Sequence, residues 1–357
     1  MAPNGADTTR INHNSLIRFV RRSFEKLNVT PADAEVAAKV LVAADLRGVD
    51  THGVIRFNPH SWYVKWLREG SMTARPNFQV IAESATTAVL DADRGMGMVS
   101  GQRAMELAVR KAKSSAVAMV GVRNSRHYGM SAYYAMLALP HDMIGIAMTN
   151  ASRQVVPTFG QEAKYGTNPL CFAVPADKEL PFVLDMATTT AAAGKLELAA
   201  RLGKPIPRGW ALDEAAEETR DPRIAQKARK LLPLGGTREG GSHKGYGLGI
   251  LVEILCGVLT GTVTALNENQ DPRGHFFGAI RIDAFRPAQE FKRDMDRLVL
   301  DLKATAPLDG QQRVYVAGEL EFETAAERAE HGIPLHSTVL KGLREVGEQL
   351  GVPYDLE

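Results

Sequence analysis

Cysteine is nearly absent from this chain, since only Cys171 and Cys256 occur among its 357 residues, and both lie in apolar runs. Two such thiols make neither a disulfide framework nor a cysteine-based metal site, so we expect both to be buried and reduced. This usage predicts a cytoplasmic protein. Residues 1 to 10 also lack the apolar core of a signal peptide and are expected to form a frayed tail.

An excess of charge of one sign is lacking too. The 43 lysines and arginines nearly balance the 41 aspartates and glutamates, which leaves a formal net charge of +2 and no basic run. No nucleic-acid or membrane-surface partner is expected, because both attract a concentrated positive field. A local positive field would surround Arg56 or the pair Arg123 and Arg126, and that pair is equally compatible with a second anion site or with the surface.

A hydrophobic run suited to a membrane is also missing. The nearest approach, Tyr246 to Val263, contains Glu253 and four glycines, and its length is at the short end of a membrane span. Such a small-residue segment predicts a buried helix that packs closely against another element. No membrane partner is therefore expected.

Two motifs each place a histidine at a glycine-marked break beyond an apolar segment. Asp45 to Arg56 contains His52, and Asn124 to Gly129 contains His127. An imidazole in such a turn can point into a cleft and exchange a proton near neutral pH. Arg56 follows His52 by four residues, so one helical turn would put both on the same side. These residues predict an enzyme that acts on a small anion. The alternative interpretation is that the two histidines only cap helices or fill polar gaps.

The length is about twice that of a typical domain, which predicts two domains. Residues 11 to 49 predict two helices, and residues 287 to 304 and 322 to 351 predict helices that fold back onto them. The region between is predicted to be an α/β domain, in which residues 205 to 241 form a long surface excursion. The predicted domains are a discontinuous helical domain, 1 to 75 with 285 to 357, and an α/β domain, 76 to 284. Its predicted strands are 78 to 82, 87 to 91, 116 to 122, 144 to 149, 170 to 174, 182 to 185 and 275 to 282.

A glycine-rich segment, Gly95 to Gly101, lies between a predicted strand and a predicted helix and is similar to a dinucleotide-binding fingerprint. Three residues separate the strand from the first glycine, and the next strand ends in Arg123 and Asn124 without the acidic residue that holds a ribose. A glycine turn that only starts a helix is therefore preferred. A nicotinamide cofactor would have to bind in another way.

Nine short motifs follow one another along the chain: Ala44 to Gly53, Asn124 to Gly129, Gly166 to Pro169, Asp185 to Thr188, Gly194 to Lys195, Ile206 to Ala211, His243 to Gly247, Gly274 to Phe277 and Gly318 to Glu319. In this order they resemble the type 2 malate/L-lactate dehydrogenase family, whose relatives include sulfolactate and ureidoglycolate dehydrogenases, diketogulonate reductase and reductases of cyclic imino acids. The match runs from about residue 12 to 340. One departure is Glu214 to Glu218, where the family commonly has a glycine turn.

The resemblance implies an α/β (α+β) protein in which a non-Rossmann, NAD(P)-binding α/β domain joins a helical domain formed by both chain ends, usually as a homodimer. It implies an oxidoreductase that transfers a hydride between NAD or NADP and a small anionic 2-hydroxy or 2-oxo acid such as malate, lactate or sulfolactate. The alternative is an NAD(P)H-dependent reductase of a cyclic imino acid. A metal-dependent hydrolase or lyase is a distant alternative, because the sequence contains no HExxH motif, cysteine pair or carboxylate cluster that would bind a metal.

The resemblance also implies roles for individual residues. His52 corresponds to the proton donor, Arg56 to the clamp for the substrate carboxylate, and His127 to a second histidine that acts as acid/base or orients the carbonyl. His243 and Lys244 could instead only begin a helix, and Asp185 could only cap one. The residues implied to hold the cofactor are Ser152, Asp185, Met186, Ala187, Thr188, Thr189, Thr190, His243, Lys244, Gly318 and Glu319.

Elementary chemistry supports these roles. Reduction of a 2-oxo acid develops negative charge on the carbonyl oxygen, and a nearby imidazolium can donate a proton as that charge grows. A guanidinium can hold the carboxylate with two parallel hydrogen bonds and fix which face meets the hydride. A glycine-rich turn before a helix, such as Gly240 to Gly245, can supply N–H groups to a pyrophosphate.

Overall fold

The computed structural model describes residues 7–262 and 273–356, with only the backbone of Arg201. Its two chain ends meet in a small sheet, where β1 (Thr8–Ile11) pairs antiparallel with β11 (Ile333–His336). Residues 8 to 10 are therefore a strand and not part of a frayed tail, because β11 satisfies their backbone groups. Residues 1 to 6 of the predicted tail lie outside the described residues.

Helices from both ends pack beside this small sheet. Asn12 and Thr30 cap the first two helices with side-chain oxygens, as short polar residues do at helix starts. The helix predicted over residues 322 to 351 is two helices, because Gly332 adopts a left-handed φ of 88° and β11 follows it. The chain-end helices are α1 (His13–Lys26), α2 (Pro31–Leu46), α3 (Trp62–Arg68), α10 (Glu319–His331) and α11 (Ser337–Leu350).

The central sheet has seven strands in the order β2-β3-β4-β10-β5-β6-β7. Only β3 and β4 are parallel, and α4 (Gly97–Ser115) connects them. A mixed sheet of this kind confirms the α/β class and is not the parallel sheet of a Rossmann fold. The predicted strands are present with small shifts at their ends. They are β2 (Gln79–Glu83), β3 (Thr87–Asp91), β4 (Val117–Ser125), β5 (Met143–Thr149), β6 (Leu170–Val174), β7 (Phe182–Met186) and β10 (Arg273–Arg281).

One face of the central sheet shares a continuous buried core with the chain-end helices, to which Phe19 of α1, Val40 of α2 and Phe277 of β10 all belong. The division into two domains stays a prediction. Two more helices complete the sheet region: α5 (Ser131–Ala135), which a 3₁₀ segment continues to His141, and α9 (Ala288–Lys303).

The segment predicted as a surface excursion has a small core of its own, to which Tyr165, Ile206 and Leu231 contribute. It is therefore a folded lobe and not only a loop. Its elements, with the helix that precedes it, are α6 (Ala193–Arg201), β8 (Ala211–Leu212), α7 (Pro222–Ala228) and β9 (Lys230–Leu231).

The second face of the sheet packs against α8 (Ser242–Glu253), which continues as a π-helical segment from Ile254 to Val258. The predicted helix is thus present, but only one side of it is buried, and Val263 lies outside the described residues. Over the described part of the chain, no helix combines the length and the apolar character that crossing a membrane requires. Both cysteines are buried and free, as predicted.

Candidate active site

The loop that carries His52 is held against the end of α2. Two short 3₁₀ turns, Asp50–His52 and Val54–Arg56, replace the single α-helical turn expected from the spacing. The buried Asp45 carboxylate accepts the Val54 N–H at 2.8 Å, and a Cβ on Gly53 would overlap that carboxylate. Gly53 is therefore required for this close approach, which fixes the start of the second turn.

A second anchor for this loop comes from the other end of the chain. Arg328 of α10 is buried and donates to the Asp45 carbonyl oxygen and to the Asp50 carboxylate. Charge-assisted bonds of this kind are stronger than neutral ones. The loop is thus held by residues far apart in sequence, and sequence reasoning did not find Arg328.

Arg56 and His52 lie on the same side of the loop. Arg56 Nε donates to the Thr51 carbonyl oxygen at 2.8 Å, and its guanidinium lies 4.9 Å from the centroid of the Trp62 ring. Among the described residues, no carboxylate forms an ion pair with Arg56. The two terminal nitrogens of a guanidinium can donate two parallel hydrogen bonds to a substrate carboxylate.

The structure brings His127 to His52. The two rings stack with centroids 5.7 Å apart, although the residues come from different elements. Tyr63 Oη lies 2.6 Å from His127 Nδ1, and the Trp62 ring contacts His127 edge-on at 4.9 Å. The paired histidines and Arg56 therefore form one cluster, in which the Trp62 ring contacts both His127 and Arg56.

Burial sets the protonation of both histidines. Burial, together with a smaller effect of the positive charge of Arg56, lowers the pKa of His52 to about 4. It lowers the pKa of His127 well below its usual value, and the charges of His52, Arg273 and Arg56 act in the same direction. Both side chains are partly exposed to solvent. Both imidazoles are neutral near pH 7.

The segment similar to a dinucleotide fingerprint supports the His127 loop. Helix α4 begins at Gly97, where a Cβ would overlap the Arg126 carbonyl oxygen. Arg126 is buried and donates to the Ser71 carbonyl oxygen, and Arg123 pairs with Asp91 at 2.8 Å. The glycine turn thus starts a helix, as preferred above, and lets a neighbouring backbone approach closely. Both arginines are bonded to other residues of the protein.

Asp185, at the end of β7, connects the predicted cofactor residues to the His127 loop. Its Oδ2 accepts the Ala132 N–H at 2.7 Å in the first turn of α5, so it caps that helix. The side chain is exposed to water, yet desolvation by the surrounding protein raises its pKa to about 6, with the Ala132 N–H bond and Arg47 opposing that effect. Met186 and Ala187 follow it and are partly exposed.

Three threonines follow β7, in the segment between this strand and the start of α6. Thr188 Oγ1 donates to the Thr167 carbonyl oxygen, Thr189 Oγ1 to that of Ala191, and Thr190 Oγ1 to that of Pro233. Their hydroxyl groups therefore stabilise the local backbone. Beyond them, a Cβ on Gly194 would lie 2.5 Å from Thr51 Cγ2, so the start of α6 contacts the residue before His52.

His243 and Lys244 lie in the first turn of α8, and both are exposed. His243 Nδ1 is 2.9 Å from Arg238 Nη1, and Gly241, with a left-handed φ of 90°, precedes the helix. The Ser242 and Lys244 N–H groups donate to the Thr237 and Gly241 carbonyl oxygens, and the basic side chains of this turn can attract an anion. This arrangement fits a pyrophosphate.

Gly318, Glu319 and Ser152 are placed differently from one another. The Val183 N–H of β7 donates to the Ala317 carbonyl oxygen, which sets Gly318 beside that strand. The buried Glu319 carboxylate pairs with Lys303 at 3.1 Å. Ser152 follows β5 in the loop that Asn168 holds. No hydrogen bond links these three residues to His52 or His127 within residues 7–262 and 273–356, and their cofactor role stays a prediction.

The described residues fit a dinucleotide better than a metal. From the end of β7 to the start of α8 they offer an accessible carboxylate, glycine-rich backbone and cationic side chains. In the same residues, no group of three or more His, Cys, Asp or Glu side chains is arranged to hold a metal ion. Sequence reasoning missed Tyr63 and Trp62, because two aromatic residues at the start of a helix usually belong to the hydrophobic core.

Comparison with known proteins gives one consistent result. A model of malate/L-lactate dehydrogenase matches residues 11–344. A malate dehydrogenase from Pyrococcus abyssi is 41% identical over 349 residues, covering 96% of this chain and 95% of that protein. An L-sulfolactate dehydrogenase from Methanocaldococcus jannaschii is 37% identical and covers 92% and 93%.

Solved structures agree. The crystal structure of malate dehydrogenase from Entamoeba histolytica superposes with a TM-score of 0.93 at 34% identity, covering 98% of this chain and 99% of that one. A Δ1-piperideine-2-carboxylate reductase from Pseudomonas syringae has a TM-score of 0.82 at 27% identity and covers 95% and 100%.

Proposed function

Because the chain belongs to the malate/L-lactate dehydrogenase family, we propose that His52, His127 and Arg56 form its catalytic centre. The protein is a 2-hydroxy acid dehydrogenase, and it transfers a hydride between a nicotinamide cofactor and a small 2-hydroxy or 2-oxo acid. The observation that carries the assignment is the stacking of two neutral histidines beside Arg56.

Each member of this centre has a distinct task. A bound nicotinamide supplies or accepts the hydride. Arg56 binds the substrate carboxylate through its terminal nitrogens, while Trp62 and the Thr51 carbonyl oxygen hold the guanidinium in place. The two histidines would bind the substrate oxygen, stabilise it as its charge changes and include the group that exchanges its proton.

The cofactor occupies the line from the end of β7 to the start of α8 in this proposal. The His243 and Lys244 side chains at the start of α8 would bind the pyrophosphate, and Asp185 lies closer to the His127 loop. Activity with NADH and with NADPH, measured separately, decides between the two cofactors.

A substrate with two negative groups is favoured. Relatives named for malate and for sulfolactate act on acids with a second anionic group. Oxaloacetate and sulfopyruvate should therefore give a higher kcat/KM than pyruvate.

Reduction of a cyclic imino acid is the second candidate. It is supported by the similarity to the Δ1-piperideine-2-carboxylate reductase structure. The two substrate classes share a carboxylate beside a polarised C=O or C=N bond, and Arg56 would hold either one. A cyclic imino acid has only one carboxylate, whereas malate and sulfolactate each carry a second anionic group.

We further propose a cytoplasmic homodimer. The buried, free state of both cysteines supports the compartment. Side chains on one face of α8 and its continuation support self-association, because large apolar residues stay exposed there, namely Leu251, Ile254, Val258 and Leu259. Light scattering should give twice the chain mass, and Val258→Glu should shift the protein toward the monomer.

The decisive experiment follows oxidation of NADH and NADPH by purified protein with oxaloacetate, sulfopyruvate, pyruvate and pyrroline-2-carboxylate. Preferred turnover of the doubly anionic acids supports the proposal. Turnover of the imine alone would transfer the assignment to imino acid reduction. Absence of both turnover and cofactor binding would refute the proposed site.

A further inference from the structure

Tyr63 contacts the Nδ1 atom of His127, whose ring also stacks with the ring of His52. The phenol is fully buried in α3, and its Oη lies 2.6 Å from His127 Nδ1. The Gly129 N–H donates to the same nitrogen at 3.3 Å. A backbone N–H can only donate, so Nδ1 must present its lone pair to it.

Tyr63 leads to the same assignment independently. Among the described residues, His127 Nδ1 is the one hydrogen-bond partner of the Tyr63 hydroxyl. A buried hydroxyl proton needs an acceptor, and burial raises the pKa of Tyr63, so the phenol keeps its proton and donates it. Two donors thus converge on one nitrogen, and the neutral imidazole carries its proton on Nε2.

The hydrogen bonds of His52 allow its proton to sit on Nδ1 instead. Its Nδ1 lies 3.0 Å from Thr51 Oγ1, and a hydroxyl oxygen can accept as well as donate. With its proton on Nδ1, bonded to Thr51, His52 offers the lone pair of Nε2 as a base. No comparable choice is open to His127.

We propose, on the basis of the function above, that Tyr63 and the Gly129 N–H hold His127 as a neutral Nε2–H donor, so that His52 alone exchanges the substrate proton. In oxidation, the substrate C2–H bond would break, and a bound nicotinamide held by the residues proposed above would accept the hydride. The hydroxyl proton passes to His52 Nε2, and the C=O bond forms. His127 keeps its proton throughout and donates a hydrogen bond to the substrate oxygen. Tyr63 is a positioning residue.

Amide substitutions separate the two tasks, because glutamine can donate a hydrogen bond but cannot act as a base. His127→Gln should keep kcat within about tenfold of wild type, whereas His127→Ala should lose about 10²- to 10³-fold, as when an oxyanion donor is removed. His52→Gln and His52→Ala should both lose about 10³-fold. Equal inactivity of both His127 variants beside an active His52→Gln would overturn the proposal.

Nitrogen-15 NMR of histidine-labelled protein measures the tautomer without substrate. The His127 signals, assigned by their loss in His127→Gln, should show a protonated Nε2 and an unprotonated Nδ1. A protonated Nδ1 would overturn the proposal even in a fully active enzyme. Inactivity of the wild type toward every substrate would refute the proposed function and leave this tautomer result standing.

Tyr63→Phe tests the positioning role. It removes one donor, so the other tautomer should become populated in the NMR spectrum, and kcat should fall about tenfold with KM nearly unchanged. Tyr133→Phe is the matched control, since Tyr133 donates at 3.0 Å to Gln102, away from both histidines. An unchanged tautomer and kcat in Tyr63→Phe would contradict the role.

Discussion

The two ends of the candidate site are built in contrasting ways. The substrate end, formed by His52, Arg56 and His127, is enclosed, and each side chain is held by a carbonyl, a hydroxyl or a ring. The cofactor end, formed by His243 and Lys244, is exposed at the start of α8. Burial shifts pKa values and strengthens electrostatic interactions, whereas water screens them. Substitutions at the substrate end should therefore have much larger effects.

The largest effect is expected for His52→Ala. Loss of the group that exchanges the proton should lower kcat by about 10³-fold and leave NADH binding nearly intact. Turnover and the fluorescence of bound NADH measure the two quantities separately. His60→Ala is the control, because His60 is exposed on the same loop. Turnover like that of wild type in His52→Ala would remove this residue from the mechanism.

Arg56 should rank next. Arg56→Met removes the carboxylate clamp and should lower kcat/KM by about 10²-fold, mainly through KM. Arg56→Lys keeps the positive charge but loses the planar fork, so its loss should be intermediate. Steady-state kinetics with oxaloacetate distinguish them. If the two variants were equally impaired, a positive charge without the planar fork would contribute nothing to substrate binding.

Gly53→Ala should disturb the enclosed loop itself. The added Cβ overlaps the Asp45 carboxylate, so we expect a loss of about 1–3 kcal/mol in the free energy of unfolding, together with reduced turnover. Gly247→Ala is the control, because a Cβ at Gly247 in α8 meets no atom within 4 Å. Chemical denaturation measures both. Equal stability of the two variants would refute the anchoring of the loop.

Acid should destabilise the enclosed end. The pKa of His52 is about 4 in the folded protein and near 6.5 when unfolded, so the unfolded state binds its proton first as the pH falls. The free energy of unfolding should therefore be largest above about pH 6.5 and decline toward pH 4. Denaturation as a function of pH tests this, and His52→Gln should show a shallower decline. Identical slopes would mean that His52 is not held neutral.

The smallest effect is expected at the cofactor end. Lys244→Ala removes one exposed charge, so KM for the cofactor should rise only a few-fold with kcat unchanged, and less so at high salt. Lys65→Ala, an exposed lysine on α3, is the control. A loss of 10²-fold in kcat would show that the cofactor end is as tightly coupled to chemistry as the substrate end.

Much of this site could be predicted from sequence, because its reacting groups lie in short motifs. His52, Arg56 and His127 each follow an apolar segment and a glycine, and local chemistry predicts their use. Tyr63 could not be found in this way, since an aromatic residue at helix spacing is usually core. Glu319 illustrates the opposite case: its motif predicts a cofactor role, while its carboxylate pairs with Lys303.

The fold follows the same division. Thr30 before Pro31 sets the start of α2, and apolar periodicity sets the strands, because both signals act over a few residues. The strand order, with β10 between β4 and β5, depends on pairings between distant segments. So does the pairing of β1 with β11, where the sequence predicted only a tail.

The sequence by itself determined the family, the reaction class and the three residues proposed to form the catalytic centre, because these depend on residue types at fixed local spacing. Only the tertiary structure decided how those residues are held. Tyr63 meets His127 across 64 positions, and Arg328 meets Asp45 across 283. Such contacts fix a tautomer and anchor a loop through burial and hydrogen bonding, and neither acts until the chain has folded.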